Sequence, residues 1–184
     1  MKKYVWPSVK LTLVFIIICS VLYPLFIALV AKAAPGGGKG ETVSVDGKVV
    51  GYANIGQKFT EDKYFWSRPS AVDYNAAGSA GSNKGPTNPD YLKVVQDRID
   101  TFMMHNPGVK KEEISAELVT ASGSGLDPDL SPAAAKVQAK RIAAVRKIME
   151  ERVILLIDKQ TEHPFLGPDK VNVLKLNIEL DKLK

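Results

Sequence analysis

The chain has 184 residues and a formal net charge of +5, from 25 basic and 20 acidic side chains. All of the surplus lies before Glu41, on Lys2, Lys3, Lys10, Lys32 and Lys39, so the pI of about 9.2 gives no sign of a nucleic-acid-binding face. The only cysteine, Cys19, sits among apolar residues, which excludes a disulfide framework and a thiol nucleophile from the rest of the chain.

From Leu11 to Ala31 no residue is charged. A bilayer span needs ~20 apolar residues, whereas the core of a cleavable signal has ~7–15. The length favours a retained transmembrane helix over 11–31, behind a short head, 1–10. Ala31-Lys32-Ala33 leaves signal cleavage as the alternative. Cys19 follows three isoleucines and lacks the small residue that lipid attachment wants. Pro24 is tolerated in a membrane helix, and Tyr4 and Trp6 suit the interface. Within the span Cys19, Ser20 and Ala28 are small or polar and let another membrane helix approach closely, and Tyr23-Pro24 would locally disturb the helix, so these five are interface candidates. Three lysines before the span and two after it place the N-terminus in the cytoplasm and the remainder outside.

Residues 32–40 read as a flexible linker and 41–184 as one domain. Val43 and Val45, then Asp46-Gly47, then Val49-Val50 predict a tight hairpin. Tyr64 to Trp66 predicts a short strand. Ala76 to Asn88 has no periodicity, and inside a domain such a loop is either functional or disordered. Asn88-Pro89 starts a helix, with an apolar stripe on Leu92, Val95, Ile99 and Phe102, that stops near His105 before Pro107. "ELVTA" reads as a buried strand. Ser131-Pro132 starts a second helix whose buried face is Ala135, Ala139, Ile142, Val145 and Met149, with Lys136, Lys140 and Lys147 on a solvated face. A further helix covers Glu151 to Gln160, and "VNVLKLNIEL" reads as a closing strand. Helices and strands intermix without a βαβ repeat, so the fold class is α+β.

Tests for chemistry fail. Around Ser122 and Ser124 the glycine spacing of a nucleophile elbow is missing. The run Gly78 to Lys84 lacks phosphate-loop spacing. His105 and His163 stand apart, each near a proline. Asp127 and Asp129 flank Pro128 and read as an Asp-Pro turn rather than a weak calcium site. The Ser122-Gly123-Ser124-Gly125 loop therefore reads as turn chemistry, its glycines free to take positive φ.

Four blocks carry a resemblance. "GYANIGQKF", "YFWSRPSAVDYNAAGSAGSNKGPTNP", "LVTASGSGLDPDLSPAAAKVQ" and "LGPDKVNVLKLNIELD" resemble, in order and spacing, the signature blocks of the KdpC family, the C subunits of bacterial potassium-transporting ATPases. Asp129 stands where that family often has His, and 36–42 matches nothing in it. The resemblance marks Gly56, Gln57 and Phe59, then Arg68, Pro69, Ser70, Tyr74, Asn75, Gly81, Ser82 and Asn83 as structural or interaction candidates. It also marks Thr120, Ser122, Gly123, Ser124, Gly125, Leu126, Asp127, Pro128 and Gln138, and lastly Gly167, Asn172 and Asn177. It implies a non-catalytic subunit of a high-affinity potassium uptake complex at the bacterial inner membrane, with a periplasmic domain. The implied partners are a channel-like subunit, a P-type ATPase subunit and a small hydrophobic subunit, which handle K⁺ and ATP themselves. It further implies a chaperone role that raises the ATPase subunit's affinity for ATP. No residue is marked as catalytic, metal-binding or cofactor-binding. A secreted or anchored periplasmic binding module is the other class left open by the residues alone.

Overall fold

The computed structural model describes residues 2–183. It divides into two compact units, Met1–Thr42 and Val43–Lys184.

The first unit is one long helix. α1 covers Lys2–Ile17, a π-helical turn covers Ile18–Leu22, and α2 covers Tyr23–Ala31. Pro24 explains the interruption. It has no N–H, and its ring would press on the carbonyl four residues back. Widening the turn relieves this, and the Tyr23 N–H reaches back five residues to Ile18 O. The stretch Lys3–Ala31 is long and apolar enough to cross a membrane. Cys19 and Ser20 lie in the widened turn. Beyond it, Gly36, Gly37 and Gly38 all adopt positive φ in a short turn.

The second unit is a small α+β domain. β1 (Thr42–Val45) and β2 (Lys48–Tyr52) form the expected hairpin. Asp46 and Gly47 both take left-handed φ, 50° and 75°, the geometry a tight two-residue turn demands. α3 (Pro89–His105) is capped as expected, with the Asn88 side chain accepting from the Tyr91 N–H. Of its stripe, Phe102 is buried, Val95 and Ile99 pack partly, and Leu92 is exposed. α5 (Pro132–Val137) starts on Ser131, whose Oγ accepts from the Ala134 N–H at 3.1 Å. The helix kinks at Gln138 and resumes as α6 (Ala139–Arg146). Lys147 ends it in the left-handed region, at φ 56°. Of the expected face, Ala135, Ala139 and Ile142 are buried, but Val145 and Met149 are exposed, Met149 lying beyond that turn. α7 (Glu150–Gln160) follows as expected and packs on α5, α6 and the last helix, Val173–Asp181. Phe65, Leu130, Ile142, Val153, Ile157, Leu176 and Leu180 form the centre of the core.

Three expected strands are corrected. "ELVTA" contains a helical turn, α4 (Ala116–Val119), which buries Leu118 and Val119. A short apolar run cannot distinguish the two forms by periodicity. "VNVLKLNIEL" contributes only β4 (Val171–Asn172), antiparallel to β3 (Asp129–Leu130). The Asn172 side chain then accepts from the Lys175 N–H and starts α8 (Val173–Asp181). The buried set Val173, Leu176, Asn177 and Leu180 has helical spacing. Among the described residues Tyr64 to Trp66 has no neighbouring strand, because side chains occupy the backbone groups of Phe65 and Trp66.

Candidate functional site

The signature residues converge on the segment Asp62 to Ser67. Asn177 lies beside Phe65: its Oδ1 accepts from the Phe65 N–H at 2.9 Å and its Nδ2 donates to Phe65 O at 3.0 Å. Gln138 does the same for the next residue, accepting from the Trp66 N–H at 2.8 Å and donating to Trp66 O at 3.2 Å. A carboxamide carries one acceptor and two donors, so each side chain can pair both backbone groups of one residue, as a neighbouring strand would. Both amides are buried, at 0% and 3% exposure for Gln138 and Asn177.

Two arginines that sequence reasoning missed complete the grip. Arg141 donates from Nη1 to Asp62 O and from Nη2 to Gln138 Oε1, and its guanidinium lies 4.7 Å from the Trp66 ring centre. Burial pulls its pKa down to about 10, with Asp62 opposing the shift. Arg146 donates to Lys63 O at 2.7 Å and to Asp181 at 2.6 Å, and Asp181 also accepts from the Tyr64 hydroxyl. The spacing Gln138-x-x-Arg141 on an otherwise apolar helix face was the available signal, since buried polar groups must be paired.

The remaining blocks stack around this segment. Gly56 N–H donates to Leu126 O at 2.7 Å, Ser67 Oγ to Gln57 O at 2.9 Å, and Gln57 Nε2 to Val50 O. Phe59 packs its ring 5.9 Å from that of Tyr64. Arg68 pairs with Asp127 at 2.8 Å, and Asp127 also accepts from the Asp129 N–H, the turn expected of Asp-Pro. Asp129 pairs with Lys170, and Pro128 O accepts from the Val173 N–H. Asn172 donates to Ala53 O. Ser70 Oγ accepts from the N–H groups of Val72 and Tyr74, and the Tyr74 hydroxyl donates to Arg68 O. Burial pushes the Tyr74 phenol up to about 12.

The glycine-serine loop docks against the unperiodic segment. Ser122 N–H donates to Pro69 O, Ser124 Oγ accepts from the Leu126 N–H, and Ser79 Oγ donates to Ser124 O. A Cβ on Gly81 would stand 2.9 Å from Gly123 O, so the two loops touch through backbone. Asn75 caps the turn Ala76–Gly78, Asn83 takes φ 52°, and Ser82 is half-buried. Thr120 donates to Ala116 O. Gly167 lies apart from all of these, in the loop before β4.

Of the two glycines in the Ser122–Gly125 loop, Gly125 takes positive φ, 69°, and Gly123 does not. Gly125→Ala should therefore destabilise by about 2 kcal/mol, since the left-handed form alone costs roughly 1–2 kcal/mol for a non-glycine residue. A Cβ there would also stand 2.8 Å from Ala80 O. Gly123→Ala, with nothing within 4 Å of its Cβ, should stay within about 0.5 kcal/mol of wild type in a denaturant melt. Equal losses at the two positions would refute this account of the loop.

A cleft of about 590 Å³ opens beside this hub, lined by Trp66, Tyr74, Asp97, Arg98, Phe102 and His105 among others. Its groups are largely engaged in structure: Arg98 donates to Val119 O, and His105 Nδ1 lies 2.8 Å from Asp62. His163 lies 2.8 Å from Asp169. Among the described residues no group of three or more His, Cys, Asp or Glu side chains could hold a metal ion. The hydroxyls, amides and guanidinia of the hub thus bond the chain's own backbone and neighbouring side chains.

Fold and site together define a class: one helix able to cross a membrane, joined to a small α+β domain whose distinctive polar residues fix its own loops. Comparison with known proteins gives the family. The family described as "KdpC: K+-transporting ATPase, c chain" matches residues 5–182. A Flavobacterium psychrophilum protein named "Potassium-transporting ATPase KdpC subunit" is 56% identical over 183 residues, covering 99% of this chain and 100% of that one. Proteins of the same name from Bacteroides fragilis and Caldanaerobacter subterraneus are 53% and 47% identical, over 99% and 94% of this chain and 98% and 92% of theirs. The chain belongs to the KdpC family, accessory subunits of the K⁺-transporting ATPase that are not catalytic by themselves.

Proposed function

We propose that this chain is the assembly subunit of an ATP-driven potassium uptake complex in a bacterial inner membrane. Its N-terminus is cytoplasmic and its α+β domain periplasmic. It joins a channel-like subunit, a P-type ATPase subunit and a small hydrophobic subunit, and these handle K⁺ and ATP. The observation that carries this reading is the use of the signature side chains: Gln138, Asn172, Asn177 and Asp127 bond to the chain's own backbone or ion partners. Such a domain presents a fixed shape, which suits assembly. The lysine bias around the span supports the orientation.

A periplasmic domain cannot touch cytosolic ATP. Its effect on the ATPase subunit's affinity for ATP then passes through the membrane helices, as a coupling free energy. Such coupling is reciprocal, so ATP should tighten the chain's hold on the complex by the same factor.

Topology provides the test. Lys84 is exposed in the loop after the hub. Lys84→Cys, with Cys19→Ser, should react with a membrane-impermeant thiol reagent in intact spheroplasts. Labelling only after lysis would reverse the orientation and bring direct contact with ATP back into play.

A further inference from the structure

Between α7 and β4 the chain displays an apolar pair that none of the described residues covers. Phe165 is 99% exposed and Leu166 83%. The loop that carries them is pinned at its base. Glu162 N–H donates to Lys170 O at 2.8 Å, and Lys170 N–H donates to Glu162 O at 3.1 Å. One step further out, His163 Nδ1 lies 2.8 Å from Asp169 Oδ1. Pro164 and Pro168 fix φ inside the loop, and Gly167 turns it at φ 112°. A loop held this way loses little conformational freedom on docking.

Two kinds of surface accept such a tip: the headgroup layer of a membrane, or an apolar pocket on a protein. Charge separates them. Insertion into an anionic lipid surface is helped by uncommitted basic residues around the apolar tip. Here the flanking basic side chains are matched by acids. His163 faces Asp169, Lys170 lies 2.8 Å from Asp129 and 3.7 Å from Glu162, and Lys175 lies 3.5 Å from Glu162. An apolar anchor inside a charge-balanced rim is the pattern of a protein–protein contact. Two side chains are too few for a stable interface on their own. They suffice as a second contact for a chain that a membrane helix already holds close to its partners.

We infer that Phe165 and Leu166 are the anchor by which the α+β domain docks into an apolar pocket on a neighbouring subunit of the same complex. This rests on the assembly reading above. The test uses the full chain co-expressed with the other subunits, with p-benzoylphenylalanine in place of Phe165. Irradiation should give an adduct with a partner subunit, identified by mass spectrometry. Adducts with lipid alone, with a second copy of this chain, or with nothing would overturn the inference. In parallel, F165S/L166S should reduce recovery of partner subunits about ten-fold, as loss of an interface hot spot does. Unchanged recovery would also overturn it. If the unsubstituted chain itself recovers no partner subunits, the assembly reading fails first.

Discussion

Asn177→Leu should lower the unfolding free energy of the α+β domain by about 2–6 kcal/mol, because a buried polar group left without a partner costs ~1–3 kcal/mol and two are left. These are the N–H and C=O of Phe65, a residue at 0% exposure. Leucine has the same branching and number of side-chain heavy atoms as asparagine and is bulkier, so no cavity confuses the result. Gln138→Leu should do at least as much harm. It orphans both backbone groups of Trp66 and removes an acceptor from Arg141, a guanidinium at 5% exposure. A hydrogen bond to a charged group is worth ~1.5–3 kcal/mol, and Arg141 keeps its bonds to Asp62 O and Asn106 Oδ1. The two clamps grip adjacent residues of one segment, so the double variant should fall short of the sum. The readout is the denaturant midpoint of the full chain in detergent, followed by the fluorescence of Trp66 in a Trp6→Phe background. A loss below about 1 kcal/mol in both single variants would mean that the segment finds other partners, contrary to the stated desolvation penalty.

These clamps also show where the sequence stops being legible. Elements set by local chemistry can be read directly: the Asp46-Gly47 turn, the Asn88-Pro89 start and the Ser131-Pro132 start all stand where neighbouring residues put them. The clamp pairs are 112 and 72 residues apart, and no spacing rule reaches that far. The resemblance marked Gln138 and Asn177 without saying what they hold. The same distance effect explains the misread C-terminal segment. Val171 and Val173 alternate like a strand, and the first two residues of that run do pair with β3. What ends the strand is Asn172, whose side chain caps α8 and also reaches Ala53 and Asp129. A tertiary contact thus decides a local choice. The glycine-serine loop was legible as turn chemistry, but only the backbone could show that Gly125 carries the positive φ and Gly123 does not. Arg141 and Arg146 escaped notice because an arginine on a helix reads as solvated surface until the segment it serves is folded over it.

Gly56→Ala should destabilise more than Gly51→Ala, although the bare distances suggest the reverse. A Cβ on Gly51 would stand 1.7 Å from Gln57 Nε2, whereas one on Gly56 would stand 2.4 Å from Asp127 O. What decides is the freedom of the atom that is struck. Gln57 Nε2 is the end of a flexible side chain, and swinging it away forfeits one exposed hydrogen bond to Val50 O; Leu174 Cδ2, at 2.9 Å, must also give, but it too is a side-chain end. A net hydrogen bond is worth ~0.5–1.5 kcal/mol, so Gly51→Ala should cost about 1 kcal/mol. Around Gly56 the next atoms are Asp127 C at 2.9 Å and Leu126 C at 3.1 Å, all of them backbone. That backbone is tied down. Leu126 O accepts the Gly56 N–H at 2.7 Å, Asp127 is paired with Arg68, and Pro128 O receives the Val173 N–H. An alanine must therefore push apart two segments that the same residue bonds together, straining the Arg68–Asp127 pair. Overpacking of a close-packed site costs ~1–3 kcal/mol, and with the hydrogen bond lost as well Gly56→Ala should cost about 3 kcal/mol or more. Denaturant melts of the two variants decide the order. If Gly51→Ala proves the worse, the hairpin rather than the Gly56–Leu126 contact is what seats this part of the domain.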